Sequence, residues 1–449
     1  MNENRINELQ QFRVELYHTF SQRADAVYEL IDTLAGEPDV RSPAELSLSP
    51  LFRRQYGSIY DGVDDWQYDQ VALDQWLLSL APTPAPGQFR VVGVDHTAKA
   101  RPYAETVSDR GFVHQPTFIK GNKPVTIGHS YSVLGQIDLR ERQPWLAVLN
   151  IIRIPTETTP LLTGLSQMMQ VAQHCDDWLV FTGDCEYGQA LSVACLDQCP
   201  HVSGLFRLRG NRKVYGPPPA YAGKGRPREH GDLFRLNDES TWGPPVEEVS
   251  WPEQDERGRV WTIRLRRWSH LHFAQAPHHE FDLVQAQVTD EAGQPRFRHP
   301  WWLLACGQRP LPLRDCWLVY GRRPVLEHYF RFNKQQLLFT AAQMGTTVHE
   351  EKFVLVNTLA YAQLYLARHD IEPAVHPWER YKPVPAVGQA VSPAQARRGF
   401  ARLLLRLGSP TRPPKPRGKS PGRALGYYPP PRPRYPVVKK RASPTTVAV

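Results

Sequence analysis

A chain of 449 residues is longer than one ordinary compact domain, and with 41% hydrophobic and 10% aromatic residues it can bury a large core, which excludes global disorder. No apolar run reaches the 18 residues of a membrane-spanning helix, the polar start Met1–Asn7 lacks a signal-peptide core, and six cysteines over this length make no disulfide framework; the expectation is a reduced, cytoplasmic protein. The net charge of +9 is uneven: residues 408–449 hold ten basic and no acidic side chains, so the rest of the chain is near neutral.

The first 80 residues read as helices. Ile6, Leu9, Phe12, Leu16 and Phe20 recur at three- and four-residue steps, Val27, Leu30, Ile31 and Leu34 continue the stripe, and Gly36 with Pro38 stops it. Ser42-Pro43-Ala44-Glu45 has the form of a helix start, and Asp65–Leu80 reads as one further helix. The stretch 81–87, with three prolines and a glycine, is a linker by composition. Then the period changes. Phe89–Asp95, Phe112–Ile119, Val125–Val133, Trp145–Ile152, Trp178–Gly183 and Val202–Leu208 read as strands, with helices at Thr158–Cys175 and Gln189–Leu196. Strands first and helix–strand alternation afterwards predict an α/β fold, a mixed sheet flanked by helices. Residues 210–300, rich in Pro, Gly, Arg and Trp, predict a β-rich insertion; within it Trp261, Ile263 and Leu265 alternate with Thr262, Arg264 and Arg266, giving a half-buried strand with a basic outer face. Trp317–Tyr320 reads as another apolar strand, and helices return at Pro324–Thr340 and Glu350–Arg368. Past Pro373 the chain is rich in proline and arginine, and a disordered basic tail is expected.

Three carboxylates stand out. Asp95 and Asp184 each close a short apolar strand, and Glu327 lies near the start of a helix. A buried strand delivers its last side chain to the sheet edge with little freedom. Two such strands side by side, with a third carboxylate from a helix crossing that edge, would form an oxygen-ligand cage for Mg2+ able to serve phosphoryl transfer. The bland alternative is that strand-terminal Asp is a common turn or cap residue. Tyr320, Arg323, Glu327 and Lys334 follow one another at steps of 3, 4 and 7, which on a helix confines them to an arc of roughly 60°. A carboxylate flanked by cations on one stripe suits a metal ion surrounded by phosphates; a solvated helix face of mixed charge reads the same way.

The pattern Tyr-x2-Arg-x3-Glu-x6-Lys over 320–334 resembles the signature of insertion-sequence-four-type (YREK) DDE transposases. Gly93-Val-Asp95-His-Thr97 resembles that family's first-aspartate strand and Phe181-Thr-Gly-Asp184-Cys-Glu-Tyr187 its second, with the long gap to Glu327 taken up by a β-rich insertion. The resemblance, over residues 85 to about 370, implies an RNase H-like core and a transposase performing Mg2+-dependent cleavage at element ends and strand transfer into target DNA. It implies that Asp95, Asp184 and Glu327 are the catalytic and metal-binding triad, holding two Mg2+ ions with Mn2+ as a substitute. It also implies that Tyr320, Arg323, Lys334 and, on the same helix, Arg331 contact DNA phosphates. His96, after the first aspartate, departs from many relatives and reads as a structural histidine at the sheet edge.

Other signals are weaker. Lys224-Gly-Arg226-Pro-Arg228 has the form of a minor-groove hook, with Arg226 its reading residue, or of a solvated basic loop. Trp242, Trp251, Trp261 and Trp268 suit base stacking or, more simply, a small insertion core. The expected organisation is an N-terminal helical DNA-binding domain (1–84), a catalytic core in two parts (85–209 and 301–372) split by the insertion (210–300), and the tail (373–449). The expected partner is double-stranded DNA, element ends and target, bound by a homodimer in the bacterial cytoplasm at the nucleoid, with no membrane association. A catalytically inactive DNA-binding descendant and a structure-selective nuclease on the same core are the alternatives.

Overall fold

The computed structural model describes residues 3–85, 87–114, 124–221, 223, 225–255, 257–379, 381, 388–416, 418 and 422–439. The chain opens with α1 (Glu3–His18), a short strand β1 (Phe20–Gln22), α2 (Ala24–Gly36) and α3 (Gly57–Asp65), then β2 (Gln67–Tyr68), which pairs with β1, and α4 (Gln70–Ser79). The single helix expected over 65–80 is therefore a strand and a helix. Trp66 is buried against Phe20, and Asp69 caps α4 by accepting the Ala72 amide at 3.0 Å, which starts the helix late. Ser42–Glu45 opens only a short 3-10 turn at 44–48.

One 12-stranded mixed sheet dominates the chain beyond α4: β3 (Phe89–Ala100), β4 (Gly111–His114), β5 (Val125–Ile137), β6 (Leu146–Ile154), β7 (Trp178–Gly183), β8 (Val202–Leu208), β9 (Lys213–Tyr215), β10 (Leu233–Arg235), β11 (Glu247–Gln254), β12 (Val260–Phe273), β13 (Ala276–Asp290) and β14 (Trp301–Gly307). Of the strand expected at 112–119, residues up to His114 lie in β4 and the remainder lies outside the described residues. β3, β5 and β6 form an antiparallel meander; β7 then pairs parallel to β3, and β8 parallel to β7. The parallel steps need crossovers, which α5 (Pro160–Gln173) and α6 (Ala190–Leu196) supply. The Arg/Trp-rich stretch carries β9–β13 and continues the same sheet: β14 pairs antiparallel with β8, and β13 and β12 come next.

The apolar strand expected at Trp317–Tyr320 is a helix, α7 (Leu313–Gly321). Leu313, Cys316, Trp317 and Tyr320 are buried while Leu318 is exposed, which is the helical period; four apolar residues alone are too few to show it. Pro324 stops α7, since it has no amide to continue the ladder, and its fixed φ opens α8 (Pro324–Gln336). α9 (Thr347–Ala367) crosses behind, packed on α2 and β6.

The tail departs furthest from expectation. Within it α10 (Pro393–Leu407) forms, started by a capping box of Ser392 and Gln395 and burying Phe400, Leu403, Leu404 and Leu407. Its Arg397 is buried and donates to the carbonyls of Leu34 (3.2 Å) and Pro38 (3.1 Å), satisfying the end of α2. Bulk composition hides this local amphipathic period. Beyond α10 the described part of the tail is extended and docked: Arg53 donates to Thr411, and the Tyr435 and Val438 amides donate to the carbonyls of Glu105 and Arg110, each at 2.8 Å. Among the described residues no helix is long and apolar enough to cross a membrane.

The close approach of α8 to β3 depends on Gly93. A Cβ there would stand 2.7 Å from Leu326 Cδ1 and 2.9 Å from Ile137 Cδ1. Gly93→Val is expected to push α8 outward and destabilise the fold by about 1–3 kcal/mol, the usual scale of overpacking, read as a lower denaturant midpoint. An unchanged midpoint would mean that α8 does not rest on this strand.

Candidate active site

Asp95 sits in the middle of β3 on the face that α8 covers, opposite Val133 of β5. It is 8% exposed. One carboxylate oxygen accepts the His96 amide at 2.8 Å and the other accepts Arg323 Nη2 at 2.7 Å. Burial, with the charge of Asp184 acting in the same direction, pushes its pKa up to about 6 against the opposing pull of Arg323. Asp184 follows Gly183 at the end of β7, the strand parallel to β3, and its Oδ1 accepts the Glu186 amide at 2.9 Å. Glu327 lies in the first turn of α8, exposed, with Oε1 accepting Arg323 Nη1 at 3.0 Å.

Arg323 therefore joins two of the three carboxylates. It stands at the N-cap of α8, its side chain only 12% exposed, and its planar guanidinium spans Asp95 and Glu327. Tyr320, in the last turn of α7, is buried edge-on against Trp301 (centroids 5.2 Å apart), with the Arg207 guanidinium 5.9 Å from its ring. Burial raises the Tyr320 pKa, opposed by Arg323 and Arg207. Lys334 ends the same face of α8, about 10 Å along the axis from Glu327 at 1.5 Å per residue; it is half-buried, and burial lowers its ammonium pKa. Arg331 lies exposed between them. Arg226 is elsewhere, in the loop joining β9 to β10, its side chain 85% exposed and paired with Glu229 of the same loop. Lys224 lies outside the described residues.

Three residues that the sequence reading passes over belong to this edge. Arg207 and Arg209 alternate at the end of β8, next to the strand carrying Asp184; Arg207 lies over Trp301 at 5.5 Å and Arg209 Nε donates to Cys185 Sγ at 3.5 Å. Two arginines at alternate positions closing an apolar strand are a readable signal. Trp301 is held between Phe297 (4.8 Å) and Trp317 (5.2 Å). By contrast the expected basic face of β12 is largely neutralised: Arg264 pairs with Glu248 at 2.7 Å, and Arg266 lies over Trp242 and Trp268 and reaches Glu239 at 3.6 Å. Trp242 and Trp268 pack with Phe234 and Trp302, the insertion core.

Among the described residues no three His, Cys, Asp or Glu side chains are gathered closely enough to hold a metal ion. The donor chemistry is that of a hard divalent cation, oxygen ligands only with the Asp184 charge felt at buried Asp95, while Arg323 occupies one oxygen each of Asp95 and Glu327.

Residues 15–146 match the family described as DDE superfamily endonuclease. The match runs from the last turn of α1 through α4 and the meander up to the start of β6, and so includes Asp95; it covers under half of the chain and stops short of Asp184 and Glu327. It supports a DDE transposase-like family and a nuclease- or transposase-like function. No curated protein matches the chain.

Proposed function

We propose that the chain is a DDE transposase of the YREK type, built on an RNase H-like core. The observation that supports the reading is that Arg323 donates to both Asp95 and Glu327, while Asp184 follows β7, the strand parallel to the one carrying Asp95. The strand order β6–β5–β3–β7–β8, antiparallel in its first steps and parallel in its last, supports the core assignment, and the DDE endonuclease match supports the chemistry.

Asp95, Asp184 and Glu327 would hold Mg2+, two ions by the resemblance, with Mn2+ as a substitute. Bound there, Mg2+ would supply activation of a water or a 3′-hydroxyl and charge stabilisation at the leaving oxygen. The protein's own residues do the rest. Arg323, its direction fixed by Asp95 and Glu327, adds positive charge beside a phosphate bound at the carboxylates. Arg331 and Lys334 continue the positive stripe along α8 toward the flanking phosphates, and the Tyr320 carbonyl accepts the Arg323 amide at 3.1 Å. The substrate is double-stranded DNA, element ends and target, held by two copies of the chain. The N-terminal helices, the Arg226 loop and the basic tail add contacts to the DNA backbone.

The test is incubation of the protein with Mg2+ and a duplex carrying the DNA ends that flank its reading frame. Nicks at those ends and joined products, both lost on chelation, are the expected result. Nicks without joined products would make the chain a nuclease on the same core. No cleavage with Mg2+ or Mn2+ would end the reading.

A further inference from the structure

The two aspartates are oriented in matching ways. Asp95 Oδ1 accepts the amide of His96, the next residue; Asp184 Oδ1 accepts the amide of Glu186, two residues on. The two residues whose amides set those rotamers also meet each other: His96 Nδ1 faces Glu186 Oε2 at 3.5 Å. That imidazole nitrogen is shielded from solvent and makes no hydrogen bond. About a quarter of the His96 side chain and a third of the Glu186 side chain remain exposed, so the contact is partly open to solvent.

From this geometry we infer that His96 and Glu186 form a clasp that fixes the separation and orientation of Asp95 and Asp184. β3 and β7 are hydrogen-bonded only up to the Gly93–Thr182 pair. Beyond it the backbones leave the parallel ladder: β3 runs on paired to β5, while β7 ends and turns into the loop before α6. Nothing in the β-ladder therefore holds Asp184 opposite Asp95, and the side-chain pair spans the gap at the position where the ladder stops. His96 and Glu186 are positioning residues. They act on a ligand carboxylate through its own backbone amide, as partners outside a metal's ligand set commonly do. The clasp rests on the proposed function, because it matters only if the two aspartates share a cation.

The experiment measures Mn2+ binding to the DNA-free protein by titration calorimetry, so it does not depend on cleavage. Wild type should bind Mn2+ and Asp95→Asn should not. His96→Ala and Glu186→Ala should each weaken binding roughly tenfold, the scale for such outer partners. The double variant should lose about the same tenfold, because one contact is removed either way. His96→Gln, whose amide can still reach the carboxylate, should recover part of the loss. In cleavage assays the same variants should raise the half-saturating Mn2+ concentration more than they lower the rate at saturation. Unfolding of an alanine variant would show in its circular dichroism, and Glu186→Gln, which keeps the shape, then replaces it. Wild-type affinity in both single variants overturns the clasp, and so does a hundredfold loss in the double variant. Loss in Glu186→Ala with His96→Ala like wild type would make Glu186 a direct ligand and also overturns it. If wild type itself binds no Mn2+, the proposed metal site fails and the clasp falls with it; if Asp95→Asn removes binding but the clasp variants do not shift it, only the clasp fails.

Discussion

Glu327→Gln is expected to bind duplex DNA like wild type and to lose Mg2+-dependent cleavage by roughly a thousandfold, the upper scale for removing one electrostatic stabiliser from a reacting centre. The substitution isolates chemistry from folding. Glu327 is exposed on the first turn of α8, and its side of the ion pair with Arg323 is open to solvent. Such a pair contributes little to stability, and a charge lost from an exposed first helical turn costs about 0.3–1 kcal/mol. Arg323 keeps Asp95 as its partner, so the guanidinium is not stranded. What the amide cannot do is offer a full negative charge to a divalent ion. Cleavage of end-labelled duplex and fluorescence anisotropy of the same duplex separate the two effects. Full cleavage by the variant would remove Glu327 from the site. Lost binding would instead make it a structural contact for DNA.

The strand before Asp184 and the Pro-started helix carrying Glu327 are legible in the sequence because their periods are plain, but the strand expected to close on Asp95 runs on to Ala100, because His96–Ala100 stay paired to β5 and polar side chains on a paired strand do not end it. The helix stripe is legible for the same reason, since a helix opened by Pro324 puts Tyr320 and Arg323 just before it, where they lie. Local composition misleads in two places. The apolar run at 317–320 is too short to separate strand from helix, and the proline and arginine content after 373 conceals the three- and four-residue steps of Phe400, Leu403, Leu404 and Leu407. Pairings across long separations leave no sequence trace at all. His96 and Glu186 are ninety residues apart, and Arg207 reaches Tyr320 only because β14 brings the end of the insertion back beside β8. The hook at Arg226 is the opposite case: its chemistry is readable, but its loop stands apart from the carboxylate edge and pairs with itself.

Glu350→Ala is expected to cost about 3–5 kcal/mol of stability, because it leaves buried cations without their counter-charge. Glu350 lies in the first turn of α9 and is fully buried. It accepts from Arg101, from His129 Nδ1 at 2.7 Å and from Tyr131 at 3.1 Å, and the Lys99 ammonium, also fully buried, stands 4.0 Å away. Burial works against the Glu350 charge, but the hydrogen bond from His129 with Lys99 and Arg101 outweighs it and lowers the pKa. Burial lowers the Lys99 pKa to about 8, with Glu350 holding it up. This cluster ties the far end of β3, four residues beyond Asp95, to α9. The pH dependence has a definite sign. Lysine held at about 8 when folded and near 10.4 when unfolded is protonated in both states below pH 8, where its burial cost is felt in full; the cost is relieved as pH rises from 8 toward 10.4. The attraction of Lys99 for Glu350 is lost over the same range, so the deficit of Glu350→Ala should be smaller at pH 9.5 than at pH 6.5. Lys99→Met, which removes a buried cation and leaves Glu350 with Arg101 and His129, should be neutral or stabilising. Denaturant midpoints of the three proteins at the two pH values check all of this. A deficit below about 1 kcal/mol for Glu350→Ala, or one that grows with pH, would mean that these charges are open to water and that β3 is held to α9 by apolar packing alone.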